Sequence, residues 1–416
     1  MDFRAALQLL AREAGVELSP GAAKRRSRAE HLASIVSAAV DFYEQQLASP
    51  AGEPARAYLE RRGVLPATIS AFRLGWAPDD WRPLRDHLAA RGYTDEDAIA
   101  AGLLVEPEAG GQPYDRFRGR VIIPIADDRG VFVALAGRGL GDEQPKYLNS
   151  PQTEIFDKGK TLFGLDMASQ AAREQNTVVV VEGYMDVIGP WQAGFKNIVA
   201  TMGTSLTYEH AAILRRHAGR VVLAMDPDAA GLAAAERAGQ LIMDPGSFGG
   251  AARSVRSAEA VAGRAEVDLR VAPLPAGKDP DEIVRDDPEA WERAIAEATP
   301  YVAFLVDRLL GDTRPESPID ARRLLDQVLP VLAEVRDPIE RGHYVQRVAR
   351  HLGIHESAVV ERLRQRRVPR AQDRRAAAPT ALRRTSVEEL LLATMLRYPL
   401  LRDDLRHLPA DLFTDA

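Results

Sequence analysis

Four consecutive valines in TVVVVEGYMDVIG (residues 177–189) constrain this chain more than any other feature. A β-branched run of that length fits a strand covered on both faces, which a parallel sheet flanked by helices provides. The surrounding pattern agrees. Val187 to Ala193 is helix-like, NIVATMG (197–203) is strand-like and Thr207 to His217 is helical. VVLAMD (221–226) is a strand again, and Ala229 to Met243 is a helix. After a Gly/Ala/Ser-rich interruption from Gly246 to Gly263, VDLRVAPLP (267–275) returns as one more strand. Continuous apolar strands alternating with ten-residue helices predict a doubly covered, Rossmann-like parallel sheet of the α/β class.

The valine strand runs straight into Glu182, with Asp186 four residues later. In an open parallel sheet, ligands bind where strands end. Two further acidic groups fall at such ends: Asp226-Pro227-Asp228 after VVLAM, and Asp279-Pro280-Asp281 after VAPLPAGK. In extended backbone, residues i and i+2 point the same way, so each Asp-Pro-Asp is expected to present two carboxylates together. Such groups on one edge repel each other unless cations lie between them, and hard oxygen donors suit Mg²⁺ or Mn²⁺. A single Asp-Pro-Asp is more often a turn or helix cap. The joint pattern of acids after valine-rich strands reverses that preference.

Upstream, residues 29–47 and Pro54 to Arg61 read as helices, the second ending near Gly63. VIIPIADDRGVFVALAGR (121–138) reads as two strands around the turn Asp127-Asp128-Arg129-Gly130. Phe3 to Val16 is helical by spacing, and a polar break follows Ser19-Pro20-Gly21. Beyond Asp287 the chain reads helical to about Arg367, followed by a Pro/Ala/Arg linker and a fresh amphipathic helix from Ser386.

The 416 residues contain no cysteine, which removes disulfides, thiolate zinc sites and cysteine nucleophiles. No apolar run approaches the ~20 residues of a membrane helix, so a cytoplasmic protein without membrane contact is expected. Net charge is −6, yet Lys24 to Arg28 and Arg362 to Arg375 are locally basic, compatible with either nucleic-acid contact or a solvated face.

The acidic set resembles the TOPRIM metal-binding domain, and EGYMDVIGPWQAGFKNIVATMGTSLT with VVLAMDPDAAG is similar to its DnaG-type bacterial primase branch. YDRFRGRVIIPIADDRG, AGRGLG, PKYLNSPQTEIFDKGKTLFGL and GKDPDE extend the likeness over roughly residues 1 to 370. The resemblance implies a TOPRIM sheet flanked by an N-terminal α+β subdomain and a C-terminal helical subdomain. Its domains are 1–20 (the end of a zinc-domain linker), 21–170 (α+β, basic face), 171–287 (TOPRIM) and 288–367 (helical). A basic linker (368–385) and the start of a helicase-interaction domain (386–416) follow.

It further implies synthesis of short RNA primers on single-stranded DNA from ribonucleoside triphosphates, at the replication fork, with a replicative helicase as partner. Glu182, Asp226 and Asp228 are the implied catalytic residues, joined as metal ligands by Asp279, Asp281 and Asp186. Lys146, Tyr147 and Asn149 are implied for nucleotide phosphates, and Arg118, Arg120, Arg138, Lys146 and Lys158 for a basic nucleic-acid face. Pro227 departs from the family, which often has Gly there; altered loop stiffness is expected. The family's cysteine-rich zinc ribbon is not in this sequence, so no zinc is expected, and an RNA polymerase core, as a fragment or a naturally short protein, is implied. Alternatives are a TOPRIM nuclease and a non-catalytic DNA- and helicase-binding adaptor.

Other features read as structural. His351 and His355 are separated by Gly353, which suits a turn between helices better than a metal site. Gly137, Gly139 and Gly141 have no following helix to complete a dinucleotide fingerprint. Trp76, Trp81, Trp191 and Trp291 are scattered and read as packing, and at 6% aromatics no stacking platform stands out.

Overall fold

The computed structural model describes residues 20–108, 110–141, 144–225, 234–239, 267–275, 277–311, 314–335 and 337–365. The chain divides into two compact units, the boundary falling between Arg308 and Leu309.

In the first unit, β4 (Arg120–Ala126) and β5 (Phe132–Gly139) pair as the expected antiparallel hairpin. Asp127 makes the turn, its Oδ1 accepting the N–H groups of Arg129 and Val131, each at 3.0 Å. β1 (Gly75–Ala77) adds to β4 and β6 (Tyr147–Asn149) adds to β5, giving the order β1-β4-β5-β6. Two residues each, β2 (Leu104–Val105) and β3 (Tyr114–Asp115) form a separate ribbon. Every residue of β4 is buried, so its alternating side chains feed two cores. Val121, Ile123 and Ile125 meet residues of the second sheet. Ile122 joins Leu32, Ile35, Val36 and Ala39 of the long helix Pro20–Ala48. That helix starts earlier than the sequence pattern predicts and runs through the stretch that reads as a polar break. Proline has no N–H to lose in a first turn, so Pro20 opens the helix rather than interrupting it.

The second sheet contains β7 (Thr177–Val181), β8 (Ile198–Ala200), β9 (Arg220–Leu223), β10 (Asp268–Val271) and β11 (Thr299–Pro300). Their order is β11-β10-β9-β7-β8. The first four in sequence are parallel, and β11 is an antiparallel edge that periodicity did not signal. Helix Met185–Gln192 connects β7 to β8, and helix Tyr208–His217 returns the chain from β8 to β9. β7 and β9 are neighbours, but the chain leaves β7 toward β8 and continues from β9 to β10 on the other side. The connections leaving their carboxyl ends therefore run to opposite sides, which makes this edge a topological switch point, where open α/β sheets bind ligands.

The second unit holds helices Pro318–Glu334, Pro338–Leu352 and Glu356–Gln365. Ser317 and Asp337 cap the first two, and Gly353 ends the second in a left-handed conformation (φ 65°), making the expected turn between His351 and His355. Among the described residues no helix is long and apolar enough to cross a membrane.

Candidate active site

Glu182 stands directly after β7, at the switch point. Val178 to Val181 are at most 3% exposed, which fixes the strand, whereas Glu182 is half-buried. The loop after β8 clasps this end: Thr201 N–H donates to Val181 O and Gly203 N–H to Glu182 O, both at 3.2 Å. To do so Met202 takes φ 61°, a strained value for a side chain of that size and one that clusters at functional sites. Asp186 is held a turn further on, its Oδ2 accepting Gly183 N–H at 3.0 Å. β9 runs level with β7, in register from Thr177 with Arg220 to Val180 with Leu223. It is described to Met225; Asp226 and Asp228 lie outside the described residues.

The third acidic group behaves differently from expectation. Pro280 occupies the first position of helix Pro280–Asp286, so Asp279 and Asp281 are not two residues of one extended strand. Asp279 is the exposed N-cap, and its side chain makes no capping hydrogen bond. Asp281 is 3% exposed. Its Oδ2 accepts Arg62 Nη2 at 2.7 Å and Arg285 Nη1 at 3.4 Å. Burial raises its pKa, against the pull of the two guanidinium groups.

Tyr184, 2% exposed, joins the acidic edge to the other sheet. Its hydroxyl donates to Asn149 Oδ1, and its ring centroid lies 5.4 Å from that of Tyr147. Asp186 is close enough to Tyr147 to raise the phenol pKa, although burial is the larger cause. Arg138 lies over Tyr147 and Tyr58, at 5.2 and 5.5 Å from their ring centroids. Arg62, which the sequence reading missed because it looks like an ordinary helix-end arginine, feels Tyr58 and Tyr147 as well as Asp281. Tyr58 Oη, Arg62 Nε and Arg138 Nε are buried without a hydrogen-bond partner, a set suited to water or an anion. Lys146 is exposed beside Tyr147. Lys158 is half-buried, no carboxylate partners it among the described residues, and desolvation lowers its ammonium pKa.

Arg120 does not reach this surface. It is 8% exposed, and its Nη1 donates to Gly137 O at 3.2 Å and Pro145 O at 2.9 Å, supporting the β5–β6 connection from within. Arg118 belongs to a separate cluster. Its guanidinium carbon stands 4.4 Å from the centroid of Trp81 and 5.1 Å from that of Tyr114. Trp81 is 58% exposed and packs at the surface against these two side chains. Nothing local distinguishes it; only tertiary contact brings the arginine and second ring to it.

A parallel sheet with an acid at its switch point, joined to a second, antiparallel sheet, defines a Toprim-domain protein, and residues 176–247 match the Toprim domain. Residues 42–169 match the DNA primase catalytic core, N-terminal domain, and residues 302–357 the DnaB-helicase binding domain of primase. The chain belongs to the DnaG-type DNA primase family. It is 36% identical over 359 residues to a DNA primase of Halalkalibacterium halodurans, covering 85% of this chain and 56% of that protein. A DNA primase domain from Pseudomonas aeruginosa superposes with TM-score 0.67 at 35% identity, covering 80% of this chain and 99% of that one. A DnaG primase catalytic domain bound to ssDNA gives TM-score 0.65 at 35% identity over the same shares. The chain spans just over half the length of curated relatives such as that of Halalkalibacterium halodurans. The helicase-binding match lies upstream of residues 386–416, which are outside the described residues. A Toprim domain implies a divalent metal ion, and the half-buried carboxylates of Glu182 and Asp186 at the switch point are oxygen donors that fit one.

Proposed function

We propose that this chain is the RNA-polymerising core of a primase, joining ribonucleotides on a single-stranded DNA template. The observation that carries the proposal is the Tyr184 link, which sets the acidic strand end against the cationic Arg62–Arg138–Tyr147 cluster. Metal-dependent nucleotidyl transfer needs such a pairing of carboxylates with phosphate-binding cations. Mg²⁺ or Mn²⁺ bound by Glu182, Asp226 and Asp228, with Asp186 and Asp279 beside them, would activate the 3′-hydroxyl and neutralise charge on the triphosphate.

The residues have separable tasks. Lys158, Arg62, Arg138 and Lys146 hold the triphosphate, with Tyr147 and the side-chain amide of Asn149 beside it. A half-buried ammonium without a carboxylate partner, such as Lys158, gains most from an incoming phosphate. Trp81, Tyr114 and Arg118 offer an unpaired base a stacking surface and its phosphate a cation. Residues 302–357 contact the replicative helicase.

The test is template-directed ribonucleotide incorporation on single-stranded DNA with Mg²⁺. Glu182→Gln and Asp226→Ala are expected at background with unchanged thermal midpoints. Full activity in both would sink the reading, and cutting of labelled DNA without nucleotides would favour a nuclease.

A further inference from the structure

The sequence pairs Asp281 with Asp279, but the fold separates them. One faces solvent at a helix cap; the other is buried between two helices and an arginine. A methyl group on Gly189 would stand 2.5 Å from Asp281 Oδ1, so that oxygen rests on helix Met185–Gln192, which begins three residues after Glu182. The other oxygen, Oδ2, takes Arg62 and Arg285. A metal ion needs ligand oxygens at about 2.0–2.6 Å and room for waters. Neither oxygen of Asp281 has that room unless Arg62 leaves.

A second contact fixes the same joint. Gln192, at the far end of helix Met185–Gln192, donates from Nε2 to Gly63 O at 2.9 Å. Its Oε1 accepts Leu65 N–H at 2.8 Å. The turn from Arg62 to Leu65 is thus held by a carboxylate at one end and an amide at the other. Both anchors sit on helices behind the acidic edge.

We infer that Asp281 is a positioning residue and not a metal ligand: it holds the Arg62 guanidinium, and with it the cationic cluster, at a fixed place relative to Glu182. The inference deepens the proposed primase reading and takes its functional meaning from it. Its structural content, a buried carboxylate clamped to Arg62, stands on the contacts alone.

Two measurements on the full chain test it without requiring RNA synthesis. Mn²⁺ binding is followed by electron paramagnetic resonance, and unfolding by thermal melting, for Asp281→Asn, Arg62→Gln and the double variant. Mn²⁺ affinity is expected to change less than about twofold in Asp281→Asn, while its melting midpoint drops by roughly 5 °C. The double variant should melt no lower than the worse single variant, because both remove one pair. A tenfold or greater loss of Mn²⁺ affinity in Asp281→Asn with an unchanged midpoint would overturn the inference, as would additive melting losses. Should Asp281→Asn fail to fold, Gly189→Ala displaces the carboxylate and keeps its charge. It should raise the nucleotide KM severalfold at unchanged Mn²⁺ affinity; weakened Mn²⁺ binding there would overturn the inference. A wild-type chain that makes no RNA fails the primase proposal, yet the melting cycle still decides whether Asp281 and Arg62 act as a pair.

Discussion

Arg118 lies over the face of Trp81, 4.4 Å from guanidinium carbon to ring centroid, while Trp81 keeps 58% of its surface exposed. The exposed indole also packs against Tyr114, 5.2 Å away edge-on. Base stacking on such a ring contributes about 1–3 kcal/mol. Trp81→Ala should therefore weaken single-stranded DNA binding by roughly tenfold and leave its salt dependence unchanged. Arg118→Gln should weaken binding and also lower the salt slope by about one. Fluorescence anisotropy with a labelled oligonucleotide over a salt series separates the two. Unaltered affinity in Trp81→Ala would exclude the stacking role.

The same cluster carries a pH response. Asp115, 2% exposed, caps helix Pro83–Ala90 from a distant segment, its carboxylate accepting Leu84 N–H at 2.8 Å and Arg85 N–H at 3.0 Å. Burial outweighs those donors and lifts its pKa to about 6. In the unfolded chain the group titrates near 4, so between about pH 4 and 6 the folded state holds a proton that the unfolded state has lost. Stability falls as pH rises through that window, by about 2–3 kcal/mol in all. Urea midpoints at pH 5 and 7.5 should show this loss in the wild type, and Asp115→Asn should lack that share of it. Identical pH responses would clear Asp115 as the cause.

Lys158 illustrates a trade of stability for binding. Its ammonium is half desolvated with no carboxylate beside it among the described residues. Lys158→Met keeps the apolar stem and removes the uncompensated charge. Its thermal midpoint should stay level or rise, while the nucleotide KM rises about tenfold or more. A lowered midpoint with unchanged KM would show Lys158 to be structural.

What the sequence revealed depended on how local each feature is. Both faces of β7 are covered, so its valines needed no alternation and announced a parallel strand. The Asp127–Gly130 turn declared its hairpin because the hydrogen bonds involved span four residues. β1 and β6 have three residues each, too few to show a period, and β1 acquires its partner β4 across the long stretch from Ala77 to Arg120. Asp281 was misplaced because the i, i+2 rule presumes an extended chain, whereas Pro280 starts a helix between the two acids. Arg62 and Trp81 were missed for a common reason: each acquires its significance from residues far along the chain, Asp281 for one and Arg118 for the other. Arg120 was legible as a basic residue, but its direction inward is set by the Gly137 and Pro145 carbonyls.

Helix Pro20–Ala48 and the sheet approach closely at Gly75, which yields a contrast between two glycines. A Cβ on Gly75 in β1 would lie 2.6 Å from Tyr43 Cβ and 2.8 Å from the Tyr43 carbonyl carbon. Tyr43 is 1% exposed and Gly75 is paired with Ile122, so neither backbone has room to retreat. Gly75→Ala should cost about 2–3 kcal/mol through overpacking. Gly92 is the opposite case: φ is 85° and a Cβ there meets nothing within 4 Å. Gly92→Ala should cost only about 1–2 kcal/mol, from left-handed backbone strain alone. Urea unfolding of both variants measures the difference, and loss of the helix–sheet contact in Gly75→Ala should also raise amide exchange in helix Pro20–Ala48. Should Gly92→Ala prove the more destabilising, close approach at Gly75 would not be what fixes that helix to the sheet.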